Sequence, residues 1–128
     1  MAIGTITPTE KDGVFRFRIT TFHLNLSGIL KVNPAYVDDG RMKMSHIGQA
    51  RGSHGEIVDV LGAARYRIEK SDAEFRGENL FNLWFTDPDF PTWRMAAYPR
   101  RDDAGVIYWD IQRSQDKQEA GQAGGAEQ

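Results

Sequence analysis

Regular alternation of apolar and polar residues is the feature that most limits the folds available to this chain. In V-F-R-F-R-I-T, residues 14–20, phenylalanine and isoleucine alternate with arginine and threonine. A β-strand places successive side chains on opposite faces, so this pattern predicts a strand with one apolar face. The alternation resumes over residues 22–26 and 29–32, and Gly28 between them predicts a bulge or a sharp bend.

Later segments repeat the pattern at the spacing typical of small β-proteins. Alternation predicts further strands over residues 56–61, 63–69, 79–86, 92–98 and 105–111. Gly62 separates the first two, which we expect to form a pair with Tyr66 and Ile68 on the core side. The fold class that follows is all-β: a single-domain barrel or sandwich of about seven strands within residues 1–111.

Three segments lack this pattern. Residues 33–55 contain turn-forming pairs such as N-P and D-G, and they predict a long, poorly ordered excursion. Residues 71–78 begin with the S-x-x-E spacing of a helix capping box, so they predict either one short helix or a plain loop. Residues 112–128 have alanine as their only apolar residue type, which cannot bury enough surface to offset the entropy of ordering. We therefore expect a disordered C-terminal tail.

Composition restricts the setting and the chemistry of the protein. The 128 residues suffice for one domain and include no cysteine, which excludes disulfides and thiolate metal sites. No apolar run is long enough for a transmembrane helix, and the N-terminal segment lacks the basic and apolar regions of a secretory signal. We therefore expect a cytoplasmic protein with no membrane partner. The net charge of −2 argues against strong non-specific binding of nucleic acids.

Motifs for catalysis or cofactor binding are missing from the sequence. No serine or threonine is paired with a histidine in a known nucleophilic arrangement, and no glycine-rich loop is followed by the lysine of a phosphate-binding motif. A metal-dependent enzyme would have to use His46, His54 and Glu56, but the spacing of the two histidines is not a recognised ligand spacing. We therefore predict that the protein is not an enzyme and has no catalytic residues, no metal site and no cofactor.

The loop D-P-D-F-P, residues 87–91, joins two predicted strands. Pro88 suits the first corner of a turn, and Pro91 holds Phe90 in an extended conformation. We interpret the loop as a rigid turn with Phe90 folded onto the end of the barrel. The alternative is that Phe90 forms an exposed tip that docks onto a partner.

Four motifs occur in an order that resembles a known bacterial family. They are I-G-T-I-T-P-T (3–9), T-T-F-H-L-N-L (20–26), T-D-P-D-F-P (86–91) and V-I-Y-W-D-I (106–111). Together they are similar to the family called domain of unknown function 736, whose genes are often carried on plasmids and integrative elements near antirestriction and transfer functions. The resemblance covers most of residues 3–111 and implies an accessory protein of a mobile element. The chain departs from the family pattern in its longer 33–55 segment and in the aromatic pair Trp84 and Phe85.

Two binding hypotheses follow from the residue pattern and this resemblance. The first is binding of single-stranded DNA, because guanidinium groups interleaved with aromatic rings pair with phosphates and stack on bases. The residues predicted for this face are Arg16, Arg18, Arg65, Arg67, Trp84, Arg94 and Tyr98, joined by Tyr108 if the register allows. The second is inhibition of a host-defence protein complex, through a strand edge or through an acidic surface with Glu74, Glu78, Asp87, Asp89 and Phe90. A solvated barrel exterior is the simpler interpretation of the same arginines.

Overall fold

Eight antiparallel β-strands, each paired with the next along the chain, close into a barrel. The computed structural model describes residues 2–36, 44–69 and 74–114. The strands are β1 (Ala2–Pro8), β2 (Val14–Thr20), β3 (Asn25–Val32), β4 (His46–Arg51), β5 (Ile57–Arg67), β6 (Asn79–Phe85), β7 (Met95–Arg101) and β8 (Ile107–Arg113). The all-β prediction is confirmed, with eight strands where about seven were expected.

Pairing between β1 and β8 closes the barrel. Gly4 lies opposite Ile111 and Ile6 lies opposite Trp109, so the first and last strands form a ladder like the others. In the part of the chain that the structure describes, every strand is hydrogen-bonded to a neighbour on both sides. Closure leaves little unpaired strand edge, so it gives no support to the strand-edge form of the protein-binding hypothesis.

Inward-facing side chains fill the barrel. The largest fully buried side chains are Phe17, Phe81, Ile6, Ile19, Leu30, Leu61, Leu83, Met95 and Ile111. Toward one end, the rings of Phe15, Phe81 and Trp109 pack edge to face with centroids 5.5–6.1 Å apart. The indole Nε1 of Trp109 donates a hydrogen bond of 2.8 Å to the carbonyl oxygen of Asn79, so the polar group of this core residue is satisfied.

The up-and-down strand order gives the barrel two ends with different loops. The connections that follow β1, β3, β5 and β7 meet at one end, which we call the His46 end because that residue begins β4 there. The connections that follow β2, β4 and β6 meet at the other end, where β8 also finishes. We call it the Phe90 end, after the residue in the connection between β6 and β7.

Several predicted segment boundaries are wrong. The strand β4 lies inside the 33–55 segment that was expected to be a poorly ordered excursion. One continuous strand, β5, passes through Gly62, where two strands separated by that glycine were expected. The last predicted strand does not end at Ile111, because β8 continues to Arg113. Among the described residues, no helix has the length and apolar character needed to cross a membrane.

Parts of three predictions lie outside the described residues. These are residues 37–43 of the expected excursion, residues 70–73 around the start of the predicted short helix, and residues 115–128 of the expected tail. In the described remainder of the helix candidate, residues 74–77 form a turn.

Candidate nucleic-acid interface

Two arginines project side by side from the outer surface of the barrel. Arg16 and Arg18 alternate on β2 with core residues, so both side chains lie outside. On β1, Thr7 lies opposite Arg16 and Thr5 lies opposite Arg18. On β3, Ser27 lies opposite Arg18. These side chains line a shallow groove, which we call the β1–β3 groove, in which two cations are flanked by three hydroxyl groups.

Packing beneath this groove fixes the direction of the arginines. Phe17, between them, is 2% exposed, so the opposite orientation of β2 would bring both cations into the core. Gly28 lies opposite Phe17 in a regular ladder, so the bulge predicted at this glycine is absent from the pairing of β2 with β3. A Cβ atom at Gly28 would collide with the backbone oxygen of Gln49, which shows how closely β3 and β4 approach there.

The two β2 arginines are not neutralised by neighbours. Within the described ranges, Arg16 and Arg18 make no salt bridge and no side-chain hydrogen bond. The acid on the same outer row is Asp110 of β8, which lies across β1 and contacts the Nε atom of Arg100 at 3.3 Å. Because Asp110 already has a cationic partner, the two guanidinium groups on β2 are available to an anion from solution.

Three more of the predicted residues share a second outer surface, formed by β6, by β7 and by Arg94 directly before β7. The guanidinium carbon of Arg94 lies 5.7 Å from the centroid of the Trp84 ring. Tyr98 is 39% exposed. Following the strand register from Tyr98 across β8 and β1 leads to Arg18. The second surface and the β1–β3 groove are therefore near each other around the barrel, with β8 between them.

The arginines of β5 lie elsewhere. Arg65 and Arg67 share their side of the strand with the buried Leu61 and Ala63, because the ladder with β6 is unbroken along this stretch. Both arginines are exposed beyond the core, at the His46 end. Tyr66, which was expected on the core side, lies on the outer surface and is 46% exposed. The structure thus divides the seven predicted residues among three places on the barrel.

The four acids of the protein-binding hypothesis are split between the two ends. Glu74 and Glu78 lie in the connection before β6, at the His46 end. Asp87 and Asp89 lie in the connection after β6, at the Phe90 end. The structure therefore does not bring them together in one acidic surface.

Phe90 is held by a rigid turn. Its backbone N–H donates to the carbonyl oxygen of Asp87 at 3.1 Å, and the N–H of Asp89 donates to the Oδ1 atom of Asp87 at 2.9 Å. The half-buried Phe90 ring stacks on Phe85 with centroids 5.4 Å apart, and it packs against the core. This geometry supports the interpretation of the loop as a turn that folds Phe90 onto the barrel end.

A buried serine–histidine contact was missed by the sequence analysis. The Oγ atom of Ser45 lies 3.0 Å from the Nδ1 atom of His46, and it accepts a hydrogen bond of 3.0 Å from the backbone N–H of Arg65. Both side chains are buried. Burial, and secondly the positive charge of Arg65, lower the pKa of His46 from 6.5 to about 4. Adjacent residues are not a recognised catalytic spacing, and here their hydrogen bonds serve the barrel itself.

The three candidate metal ligands do not meet. His46 begins β4 at one end of the barrel, whereas His54 and Glu56 lie in the hairpin after β4, at the other end. The Oε1 atom of Glu56 accepts a hydrogen bond of 3.0 Å from the backbone N–H of His54. Nowhere in residues 2–36, 44–69 and 74–114 do three or more His, Cys, Asp or Glu side chains group as a metal site requires.

The position of Phe22 in an exposed turn was not apparent from the alternating pattern. It was expected to be part of a strand with Leu24 and Leu26, but β3 begins only at Asn25. Phe22 falls in the turn after β2 and is 94% exposed. Alternation alone could not reveal this, because F-H-L-N-L keeps the same pattern through the turn and into the strand.

Comparison with known proteins identifies no family for this chain, because no family model, curated protein or solved structure matches it. The resemblance to the domain of unknown function 736 family, which rests on four short motifs, therefore stays a prediction.

Proposed function

We propose that the chain is a non-enzymatic binding protein that holds single-stranded DNA along the surface from β7 through β8 to the β1–β3 groove. The observation that supports this most is the pair of unneutralised cations, Arg16 and Arg18, flanked by the hydroxyl groups of Thr5, Thr7 and Ser27. Guanidinium and hydroxyl groups are the side chains that proteins commonly present to phosphate oxygens.

Binding of single-stranded DNA also requires rings on which the bases can stack, and two tyrosines on the same surface supply them. Tyr98 on β7 is 39% exposed, and Tyr108 on β8 is half-buried opposite Arg100. Stacking on these rings requires unpaired bases, so the surface favours single strands over duplexes. The salt bridge between Asp110 and Arg100 reduces the repulsion that this acid would exert on a nearby phosphate.

The extent of the surface suits a short oligonucleotide. Five adjacent strands, from β7 to β3, span about 19 Å at a strand spacing of about 4.8 Å. That length accommodates a few nucleotides, which is the lower end of the site sizes of single-strand binding proteins. Because the net charge is −2, long-range attraction is weak and binding depends on the local cations.

The proposal is tested by fluorescence anisotropy with labelled single- and double-stranded oligonucleotides at several salt concentrations. We expect preferential binding of single strands, with an affinity that falls as salt rises. Combining Arg16→Gln with Arg18→Gln removes two phosphate contacts. The slope of log affinity against log salt should then become shallower by about 1.4, at about 0.7 per contact.

A matched variant removes the same charge from another part of the barrel. Arg65→Gln combined with Arg67→Gln should leave the salt slope unchanged, because these side chains lie at the His46 end. Equal losses in the two double variants would show that the β1–β3 groove is not the site. No binding of single strands even at low salt would exclude the DNA proposal altogether.

The cellular role that we propose is that of a cytoplasmic accessory protein of a mobile element, which rests on the family resemblance and on the absence of cysteine. The alternative role, inhibition of a host-defence complex through an acidic surface, has less support. Its four acids lie at opposite ends of the barrel, so they do not form one continuous acidic surface.

A further inference from the structure

The turn between β2 and β3 presents an aromatic ring to solvent. The backbone N–H of Thr21 donates to the carbonyl oxygen of Leu24 at 2.7 Å, which closes a tight turn with Phe22 and His23 at its tip. Phe22 is 94% exposed, and its ring meets the imidazole of His23 edge to face with centroids 4.7 Å apart. A ring so exposed gains almost none of the stabilisation that burial within its own fold would give it.

A groove with an apolar wall lies beside this ring, and we call it the Phe90-end groove. It is lined by Leu24 on one side and by Pro91 and Trp93 on the other. Leu24 and Trp93 pack against the core, so the wall is anchored. The guanidinium carbon of Arg113 lies 4.6 Å from the centroid of the Trp93 ring, and Asp89 also lines the groove.

We infer that a second copy of this chain occupies the Phe90-end groove, in a twofold dimer in which each Phe22 inserts beside Trp93 of the other copy. A twofold interface requires a surface that is complementary to itself. This surface combines a projecting ring with an apolar groove that can receive it. It also combines an exposed acid, Asp89, with an exposed cation, Arg113, so that each acid faces the cation of the other copy.

The charges of the groove argue against other occupants. Asp87 and Asp89 both lie in the connection that forms one wall, and they would repel a polyanion such as DNA. A purely apolar ligand would cover Phe22 but would offer no opposite charge to Asp89 or Arg113. The dimer pairs both charges and uses none of the residues that line the β1–β3 groove, so it is independent of the proposed function.

The test is the mass of the full chain in solution, measured by sedimentation equilibrium from about 1 μM to about 1 mM. The mass should rise from the monomer value of 14.5 kDa to twice that value. Phe22→Ser should weaken the dimer at least about a hundredfold, because both copies lose a buried ring. Its thermal unfolding when dilute should match the wild type, since Phe22 is so exposed within its own fold.

A matched control removes an exposed apolar side chain from the opposite end. Val106 is 48% exposed in the connection between β7 and β8, at the His46 end. Val106→Ser should therefore dimerise like the wild type. Equal weakening by Phe22→Ser and Val106→Ser would indicate non-specific association and overturn the proposal.

Exchanging the charges of Asp89 and Arg113 tests the twofold geometry. Asp89→Arg alone and Arg113→Asp alone should each weaken the dimer strongly, because like charges then face each other twice. Mixed in equal amounts, the two variants should form a heterodimer, because opposite charges face each other in both halves. A wild type that is monomeric throughout, or variants that fail to complement each other, would overturn the proposal. If the wild type is monomeric and Phe22→Ser abolishes oligonucleotide binding instead, the groove belongs to that ligand and not to a second copy.

Discussion

The imidazole of His46 lies inside the barrel between the rings of Phe15 and Phe81, with ring centroids 6.1 and 5.3 Å away. A protonated imidazole would place a charge in this apolar environment, so the neutral form is favoured and the pKa is lowered to about 4. The hydroxyl of Ser45 beside it is equally buried. In an open cleft the same pair would suggest a nucleophile and its base, but burial makes it part of the core.

We expect this histidine to make the protein less stable in mild acid. The imidazole titrates near 6.5 in the unfolded chain and near 4 in the fold, so between these values the unfolded state binds the additional proton. The stabilisation is complete above pH 6.5 and is lost as the pH falls toward 4, amounting to about 3 kcal/mol. Urea unfolding at a series of pH values across this window measures it.

The variant His46→Gln provides the control for this prediction, because glutamine keeps a hydrogen-bonding side chain and does not titrate. The free energy of unfolding of the variant should lack this part of the pH dependence, while the part that arises from carboxyl groups remains. If wild type and variant lose stability in parallel between pH 6.5 and 4, the lowered pKa of His46 is not responsible.

At the scale of elements, β4 shows why one strand was hidden from sequence analysis. Its core-facing positions are His46, Gly48 and Ala50, and none of them gives a strong apolar signal. A Cβ atom at Gly48 would lie 2.7 Å from the Cβ of Leu61 and 3.2 Å from the ring of Phe17. Large side chains on β2 and β5 fill the space that β4 leaves, so the residues of β4 itself carry little signal of this strand.

On β5 the alternation was visible in the sequence, but the choice of the inward face was not. The stretch L-G-A-A-R-Y-R, residues 61–67, has small side chains on both faces. Ala63 and Ala64 are both buried, one inside the barrel and one on the outer surface. On β2, by contrast, bulky apolar residues define the inward face, which is why its two arginines could be placed outside from sequence alone. The outward position of the two arginines in the β1–β3 groove was thus predictable from the sequence, and the position of the β5 arginines was not.

The close approach of β3 and β4 makes a prediction about Gly28. An alanine there would bring its Cβ against the backbone oxygen of Gln49, and backbone cannot move aside as a flexible side chain can. Gly28→Ala should therefore lower the free energy of unfolding by at least about 2 kcal/mol, as overpacking does in cores. Urea unfolding measures this. Ser27→Ala is the matched control, because residue 27 is exposed and its change should be within about 0.5 kcal/mol of the wild type.

For the whole molecule, the decisive event is the pairing of β1 with β8. Alternation and turn spacing predict strands, but they leave a barrel and a sandwich equally open, because closure depends on residues at the two ends of the chain. Closure also creates the candidate DNA surface, since the row from Tyr98 to Arg18 crosses the ladder between β8 and β1. No local pattern could bring these two residues onto neighbouring parts of one surface.

Closure of the barrel predicts how fast amide hydrogens exchange in the ladder between β1 and β8, which we call the seam. Opening the seam would expose Ile6 and Ile111, both fully buried, and would break the ladder between residues 4–6 and 109–111. We therefore expect the hydrogen-bonded amides of the seam to exchange only through global unfolding. Their exchange free energies, measured by NMR, should agree within about 1 kcal/mol with those of the ladder between β2 and β3.

An open sheet gives the opposite result, because β1 and β8 would then be edge strands that fray independently of the core. Exchange at the seam that is orders of magnitude faster than in the ladder between β2 and β3 would contradict closure. It would also separate Tyr98 from Arg18 for part of the time and weaken the case for one continuous DNA surface. Amides in the connection between β7 and β8, residues 102–105, provide the fast-exchanging reference, since all four of these residues are exposed. A bound oligonucleotide should slow amide exchange at the seam further, because a ligand that spans β7 to β3 stabilises the closed form by mass action. The same spectra, recorded with the oligonucleotide present, measure this.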